Sequence, residues 1–172
     1  MLFPVLLRAQ AIYEVRNGTI SFHSYAPKEL IFASSSQLEG LVDVQKKVFA
    51  FRISIASFKG FNSPLQREHF NENYMESAVF PQASFTGKII EDVDFSRDGT
   101  YEVRAKGKLT IHGVAQERTI KSRIVTKDGS ITVISDFSVL LIDHNIKIPR
   151  VVYEKLAPEI SVSVSALLNR RK

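Results

Sequence analysis

Histidines and carboxylates have the greatest capacity for chemistry in this sequence, and their spacing argues against a metal site. His69 lies between Glu68 and Glu72 in a segment with helical spacing. The two glutamates share a helix face, but His69 lies one position away from that face, which disfavours a shared metal site. His112 precedes Gly113 at a predicted hairpin turn, where we expect it to hydrogen-bond local backbone groups. We therefore predict no metal site.

The sequence contains no recognisable motif for nucleophilic catalysis. The serine run at 34–36 has no recognisable base partner, and the chain contains neither a Gly-x-Ser-x-Gly motif nor a phosphate-binding glycine-rich loop. Cysteine is absent, which excludes thiol chemistry and disulfides. The carboxylates Glu91, Asp92 and Asp94 fall in a predicted loop, where solvation is the default. The sequence predicts no catalytic residue, no cofactor and no enzymatic activity.

Length and charge describe one ordinary globular domain. The chain has 172 residues, enough for one core, and a net charge of +5. Its basic residues are spread along predicted strands, so we expect no nucleic-acid partner. Only residues 170–172 form a basic run, which we interpret as a solvated tail. We place a single domain at residues 11–169.

The first ten residues form a separate segment. Leu2 to Leu7 are apolar, and Ala9-Gln10-Ala11 offers small residues where a signal peptidase cleaves. We interpret residues 1–10 as the remnant of a secretory signal whose start lies upstream; the alternative is a short apolar arm that packs on the domain. No other segment approaches the length of apolar chain that a membrane span needs.

Strand periodicity dominates the rest of the chain. Between Tyr101 and His112 apolar and polar residues alternate strictly, which predicts one strand of roughly 36–40 Å. Strands of this length suit a sheet that curls around one interior. Turn dipeptides at 17–18, 98–99 and 128–129 divide the chain into about eight strands. The pattern predicts an all-β antiparallel barrel, with a two-sheet sandwich as the alternative.

One helix interrupts the strands. Ser63 is a candidate N-cap followed by Pro64 at the first helical position, and apolar residues then recur at helical spacing. We predict a helix over 64–77, inserted between the fourth and fifth strands near one end of the barrel.

The apolar faces of the strands predict the interior of the barrel. Small residues there, such as Ala105 and Ser122, leave room for a guest, but the same side chains also suit a filled core. The predicted inward residues are Phe22, Phe32, Phe49, Phe51, Ile53, Phe85, Tyr101, Val103, Leu109, Ile111, Ile120 and Phe137.

Four motifs together resemble the YceI-like family, bacterial lipid-binding proteins with a lipocalin-like barrel. They are the hairpin Gly-Lys-Leu-Thr-Ile-His-Gly-Val at 107–114, the helix block at 67–77, Phe-Pro-Gln-Ala-Ser-Phe at 80–85, and Asp-His-Asn-Ile-Lys-Ile-Pro at 143–149. The resemblance covers roughly residues 12–168. It implies an extended eight-stranded antiparallel lipocalin-like barrel with one short inserted helix, in a periplasmic or secreted protein.

The resemblance also implies a ligand. Family members hold a polyisoprenoid or related amphiphile, so the inward residues become the expected lining for a long-chain or quinone-like lipid. Arg67 and His69 are then candidates for the mouth and the lipid head group. The alternative function is a filled barrel whose basic outer face contacts an acidic partner or, transiently, a membrane surface.

Overall fold

The computed structural model describes residues 11–172, so the predicted signal segment at 1–10 lies outside the described residues. Eight antiparallel strands form one closed barrel in which each strand pairs with its sequence neighbours and β1 pairs with β8. This closure confirms the barrel and excludes the sandwich. The strands are β1 Ile12–Tyr25, β2 Leu30–Asp43, β3 Val48–Ser54, β4 Gln82–Ile89, β5 Gly99–Ile111, β6 Val114–Lys127, β7 Ser130–Leu140 and β8 Glu159–Arg170.

The alternation that predicted β5 is confirmed. β5 pairs with β6 from Gly99 opposite Thr126 to Ile111 opposite Val114, without a register shift. Val103 and Leu109 on the apolar face are buried. Their lysine and arginine neighbours are exposed. Because successive side chains of a strand point to opposite faces, β5 contributes one face to the interior and one to solvent.

The turn predicted at Asn17-Gly18 is wrong. β1 runs through it without a break, and its pairing with β2 shifts register on both sides of Gly18. Two successive residues are exposed at Arg16 and Asn17, and again in β2 at Ser36 and Gln37. Such irregularities reverse the facing of all later side chains. A Cβ on Gly18 would lie 3.2 Å from Leu38 Cβ, so the close strand approach favours glycine here.

The helical insert lies between β3 and β4, not between the fourth and fifth strands, because the false turn in β1 added a strand to the predicted count. α1 spans Pro64–His69 and continues as a π-helical segment over Phe70–Tyr74, so helical structure ends three residues before the predicted end. The N-cap prediction is confirmed, since Ser63 Oγ accepts a hydrogen bond from Gln66 N at 3.1 Å.

The chain connections define two ends of the barrel. The end with the helical insert, here the insert end, also carries the β1–β2 turn, the β5–β6 turn and the β7–β8 connection. That connection contains 3-10 turns at Leu141–His144 and Arg150–Val152. The opposite, terminal end carries the other turns, the start of β1 and the end of β8.

The predicted basic tail begins inside β8. Arg170 pairs with Tyr13, and Arg171 N donates to the carbonyl oxygen of Ile12 at 2.8 Å. These backbone bonds belong to barrel closure, whereas the side chains of residues 170–172 are exposed to solvent.

Candidate functional site

A cavity of about 570 Å³ occupies the barrel interior. Its wall is built from inward positions of all eight strands together with residues of the helical insert and the β7–β8 connection. The lining is mostly aliphatic and aromatic. This volume lies within the roughly 300–1,000 Å³ that is typical of small-molecule sites.

Ten of the twelve residues expected to face inward lie on the cavity wall. They come from strands β1 and β3 to β7, and their positions follow from strand alternation. That a ligand contacts them stays a prediction. The ten are Phe22, Phe49, Phe51, Ile53, Phe85, Val103, Leu109, Ile111, Ile120 and Phe137.

Phe32 and Tyr101 do not lie on the cavity wall. Phe32 pairs across the sheet with His23, packs on its ring at 4.8 Å and is exposed on the outer face. Its neighbour Ile31 lines the cavity instead. Tyr101 does face the core, but at the terminal end, where its hydroxyl donates to the carbonyl oxygen of Arg97 at 3.1 Å.

An aromatic cluster covers the cavity at the insert end. Phe70 of the π-helical segment stacks on Phe22 with ring centroids 5.5 Å apart. Phe61 lies 4.9 Å from the Phe70 ring, and Phe58 lies 5.4 Å from Phe22. The insert therefore reaches into the barrel as a plug. The inward roles of Phe58 and Phe61 were missed, because these residues lie in a segment without strand or helix periodicity.

A second aromatic group forms the wall deeper in the barrel. The rings of Phe49 and Phe85 are 4.9 Å apart, and Phe51 lies next to Phe49. Phe51 pairs with Gly40 of β2, and its ring lies over that glycine, where a Cβ would come within 2.1 Å of it. Glycine at position 40 thus leaves the space that the Phe51 ring occupies against β2.

Two serines provide a polar spot in this apolar interior. Ser122 Oγ and Ser135 Oγ, on neighbouring strands β6 and β7, are 2.6 Å apart and buried. Both residues line the cavity. Each hydroxyl satisfies the other, so the pair adds little polarity while unliganded. The alternation of β6 placed Ser122 inside, but its partner had no sequence signal.

The cavity opens at the insert end. Exposed side chains of its lining, including Leu65, His69 and Lys155, belong to segments at that end. At the terminal end the lining residues Phe95, Ile124 and Ile131 are buried. Of the charged lining residues, Glu29 and Lys155 lie at the mouth, whereas Arg52 of β3 is exposed and forms an ion pair with Glu39 of β2.

The two predicted head-group residues have different surroundings. His69 is exposed and lines the mouth. Arg67 is not on the cavity wall, because its guanidinium donates to the carbonyl oxygens of Phe58 at 3.2 Å and Ala56 at 3.0 Å. Arg67 therefore fastens the insert to the segment that leaves β3.

Further contacts tie the insert to its surroundings. Gln66 Nε2 donates to Glu29 Oε1 at 2.8 Å, across to the β1–β2 turn. His112 bridges in the other direction: its Nε2 lies 2.5 Å from Glu76 Oε2, and its Nδ1 lies 3.0 Å from the carbonyl oxygen of His144. His112 thus joins distant segments, and the expectation of local backbone capping is wrong.

Burial affects the ionisation of one residue at the mouth. Burial raises the pKa of the Tyr74 phenol above its usual value, so this mouth residue is neutral at physiological pH. Within residues 11–172 no three histidine or carboxylate side chains are grouped to hold a metal ion. The helices of the described part are too short or too polar to cross a membrane.

A family model and several solved structures are similar to this chain. A family model described as the YceI-like domain matches residues 16–167. A polyisoprenoid binding domain from Saccharophagus degradans has a similar structure, with a TM-score of 0.75 and 13% identity over 95% of this chain and 100% of that one. No curated protein sequence matches this chain.

Two further solved structures are similar. BcnA from Burkholderia cenocepacia has a TM-score of 0.72 and 16% identity over 87% of this chain and 95% of that one. The YCEI protein of Campylobacter jejuni has a TM-score of 0.64 and 16% identity over 81% of this chain and 85% of that one. At such identities the structural likeness shows a shared fold.

Proposed function

The chain belongs to the YceI-like domain family, and on that premise we propose that it binds a long-chain isoprenoid or a similar amphiphilic lipid inside its barrel. The observation that carries this proposal is the apolar cavity of about 570 Å³, which opens at the insert end and has a buried lining at the terminal end. The similar domain from Saccharophagus degradans is described as polyisoprenoid binding, which supports the same class of ligand here.

The driving force is removal of the lipid tail from water. Burial of each methylene group in an apolar environment contributes about 0.8 kcal/mol. Phenylalanine rings and branched aliphatic side chains form most of the wall, so a hydrocarbon tail loses no hydrogen bonds on entering. The buried part of the lining carries no charged side chain among residues 11–172, whereas Glu29, His69 and Lys155 surround the mouth and the exposed Arg52 is paired with Glu39.

This distribution predicts the orientation of the ligand. The tail extends past Phe22 and Leu109 toward the terminal end, and the polar head stays near the mouth. Quinone-like lipids fit the same scheme, because their ring is polar enough to remain among the mouth residues. Entry of a long tail requires displacement of the Phe70 ring, which packs against Phe22 and Phe61.

Binding of this kind needs no chemistry. We propose a carrier or storage role without catalysis. The alternative of a filled barrel is not favoured, because the interior retains a cavity of about 570 Å³. We further propose a periplasmic or secreted location, since YceI-like proteins are generally periplasmic. Fractionation of cells that express the protein tests this location.

Adjacent residues of β5 provide a sharp test. Leu109 is buried on the cavity wall, whereas Lys108 is exposed on the outer face. We expect Leu109→Asp to lower affinity for a prenyl alcohol at least about tenfold, because the carboxylate would be desolvated by the bound tail. Lys108→Asp, with the same new side chain one position away, should leave affinity unchanged.

The control for folding is circular dichroism and urea unfolding of both variants. A Leu109→Asp protein that remains folded and binds the prenyl alcohol like wild type would refute the cavity as the binding site. If Leu109→Asp does not fold, Leu109→Asn carries the same test with a smaller desolvation penalty.

A further inference from the structure

Large apolar side chains are exposed around the mouth of the cavity. Val151 is 87% exposed, Tyr25 65% and Leu65 57%. Tyr153 and Leu30 are also more than half exposed. These five residues, here called the rim, come from three segments at the insert end: the strand ends that flank the β1–β2 turn, the helical insert and the β7–β8 connection.

Hydrogen bonds hold the three rim segments together. Lys28 N in the β1–β2 turn donates to the carbonyl oxygen of Glu154 at 2.8 Å, and the side chains of the same two residues form an ion pair. On the other side of the turn, Asn62 Nδ2 donates to the carbonyl oxygen of Leu30 at 3.0 Å. The rim is therefore one surface around the opening.

Positive charge accompanies the apolar side chains on one side of the rim. Lys147, Arg150 and Lys155 are exposed in the β7–β8 connection, and none of them has an acidic ion-pair partner among residues 11–172. The connection also exposes Asp143 and Glu154, but Glu154 is paired with Lys28, so the three cations leave this side with a net positive charge. The exposed carboxylates Glu68 and Glu72 lie on the helical insert, across the mouth.

We propose that the rim docks on the surface of an anionic phospholipid bilayer, with the β7–β8 connection entering the interface first. Val151 and Tyr153 would lie at the level of the head groups, where apolar and aromatic side chains are favoured. The three cations would contact anionic lipid phosphates. Glu68 and Glu72 would tilt away, which explains why the basic side leads.

The position of the opening favours a bilayer over a protein partner. Leu65 and Lys155 line the cavity and are also exposed at the rim. Docking of the rim would place the mouth directly against the lipids, so a long-chain ligand would pass between membrane and barrel without crossing water. This passage of ligand between membrane and barrel requires that the barrel binds lipid, so this part of the inference rests on the proposed function.

Vesicle flotation tests the inference with full-length protein. We expect binding to vesicles of phosphatidylcholine with 30% phosphatidylglycerol and little binding to phosphatidylcholine alone, each at low salt. The double variant Val151→Ser, Tyr153→Ser should reduce binding about tenfold or more. The matched control is Val48→Ser, Leu167→Ser, which removes two exposed apolar side chains at the terminal end.

Binding of a soluble prenyl alcohol by the same proteins separates the two proposals. Loss of flotation in the rim variant with normal prenyl binding supports the inference. Equal flotation of the rim and control variants, or no flotation of a wild-type protein that binds the prenyl alcohol, overturns the inference and leaves the proposed function intact. Rim-dependent flotation without prenyl binding supports membrane docking and refutes the proposed function.

Discussion

Filling the cavity at Ala105 should weaken ligand binding and stabilise the protein at the same time. Ala105 lies on the cavity wall in β5, between Ile89 of β4 and Ile120 of β6. Its small side chain leaves part of the lumen unoccupied. Leucine at this position would add three carbon atoms that point into the space that we assign to the lipid tail.

The loss of binding free energy can be calculated from the number of ligand methylene groups that the leucine displaces. Three added carbons exclude about three methylenes of the ligand, each of which contributes about 0.8 kcal/mol when buried. The variant Ala105→Leu should therefore lose about 2.4 kcal/mol of binding free energy, or roughly a 50-fold increase in Kd. The free energy of unfolding of the ligand-free protein should rise, because the new side chain buries apolar surface in empty space.

The assay is titration with a long-chain prenyl alcohol beside urea unfolding of ligand-free protein. Lys106→Leu is the control, because it adds leucine one position away on the exposed face of the same strand. We expect the control to keep wild-type affinity. If affinity falls in Ala105→Leu and not in Lys106→Leu, the loss comes from the side chain in the lumen and not from the preference of leucine for β-strands.

Destabilisation by Ala105→Leu would show that the interior has no space to fill. In a fully packed interior, extra carbons force side chains from their rotamers and destabilise a protein by about 1–3 kcal/mol. If Ala105→Leu lowers the free energy of unfolding by this amount and leaves prenyl affinity unchanged, the barrel is filled and the lipid-binding proposal fails.

Three further perturbations test other parts of the structure. Ser122→Val alone should lower the free energy of unfolding by about 1–3 kcal/mol, because it leaves the Ser135 hydroxyl buried without a partner. Replacement of both serines by valine should be nearly neutral, and urea unfolding measures both variants. Arg67→Ala should speed both hydrogen exchange in the helical insert and release of bound lipid, because the two guanidinium contacts are lost. Arg67→Lys should restore neither rate fully to the wild-type value, because a single ammonium group cannot reproduce both contacts. Hydrogen bonds from the backbone N–H and the guanidinium of Arg104 lower the pKa of the Glu91 carboxyl below its ordinary value. Its stabilising effect is therefore fully present above the pKa of the unfolded chain and is lost as pH falls through the lower folded pKa. Glu91→Gln should flatten this acid-side loss in urea unfolding measured between about pH 3 and pH 6, and an unchanged profile would contradict the assignment.

The sequence predicted the regular parts of the barrel well. β5 and β8 alternate strictly, and each contributes the face that the alternation indicates. The N-cap at Ser63 was also recognisable, because it depends only on neighbouring residues. Local physics determines these features, so one sequence suffices.

Features that depend on distant segments were missed. Asn17-Gly18 has the composition of a tight turn, but pairing with β2 and β8 holds it within a continuous irregular strand. Phe32 is apolar yet faces outward, where it packs on His23. The plug residue Phe70 showed helical spacing, but only the path of the insert brings it against Phe22.

Native mass spectrometry of the protein purified without detergent, beside mass spectrometry of its organic extract, tests the central claim most directly. We expect one long-chain isoprenoid-like amphiphile per barrel, recovered in the extract and absent from Leu109→Asp protein. If the expression host supplies none, added prenyl alcohol or quinone should bind at one molecule per barrel. A folded protein that carries no lipid and takes up neither of these would contradict the account.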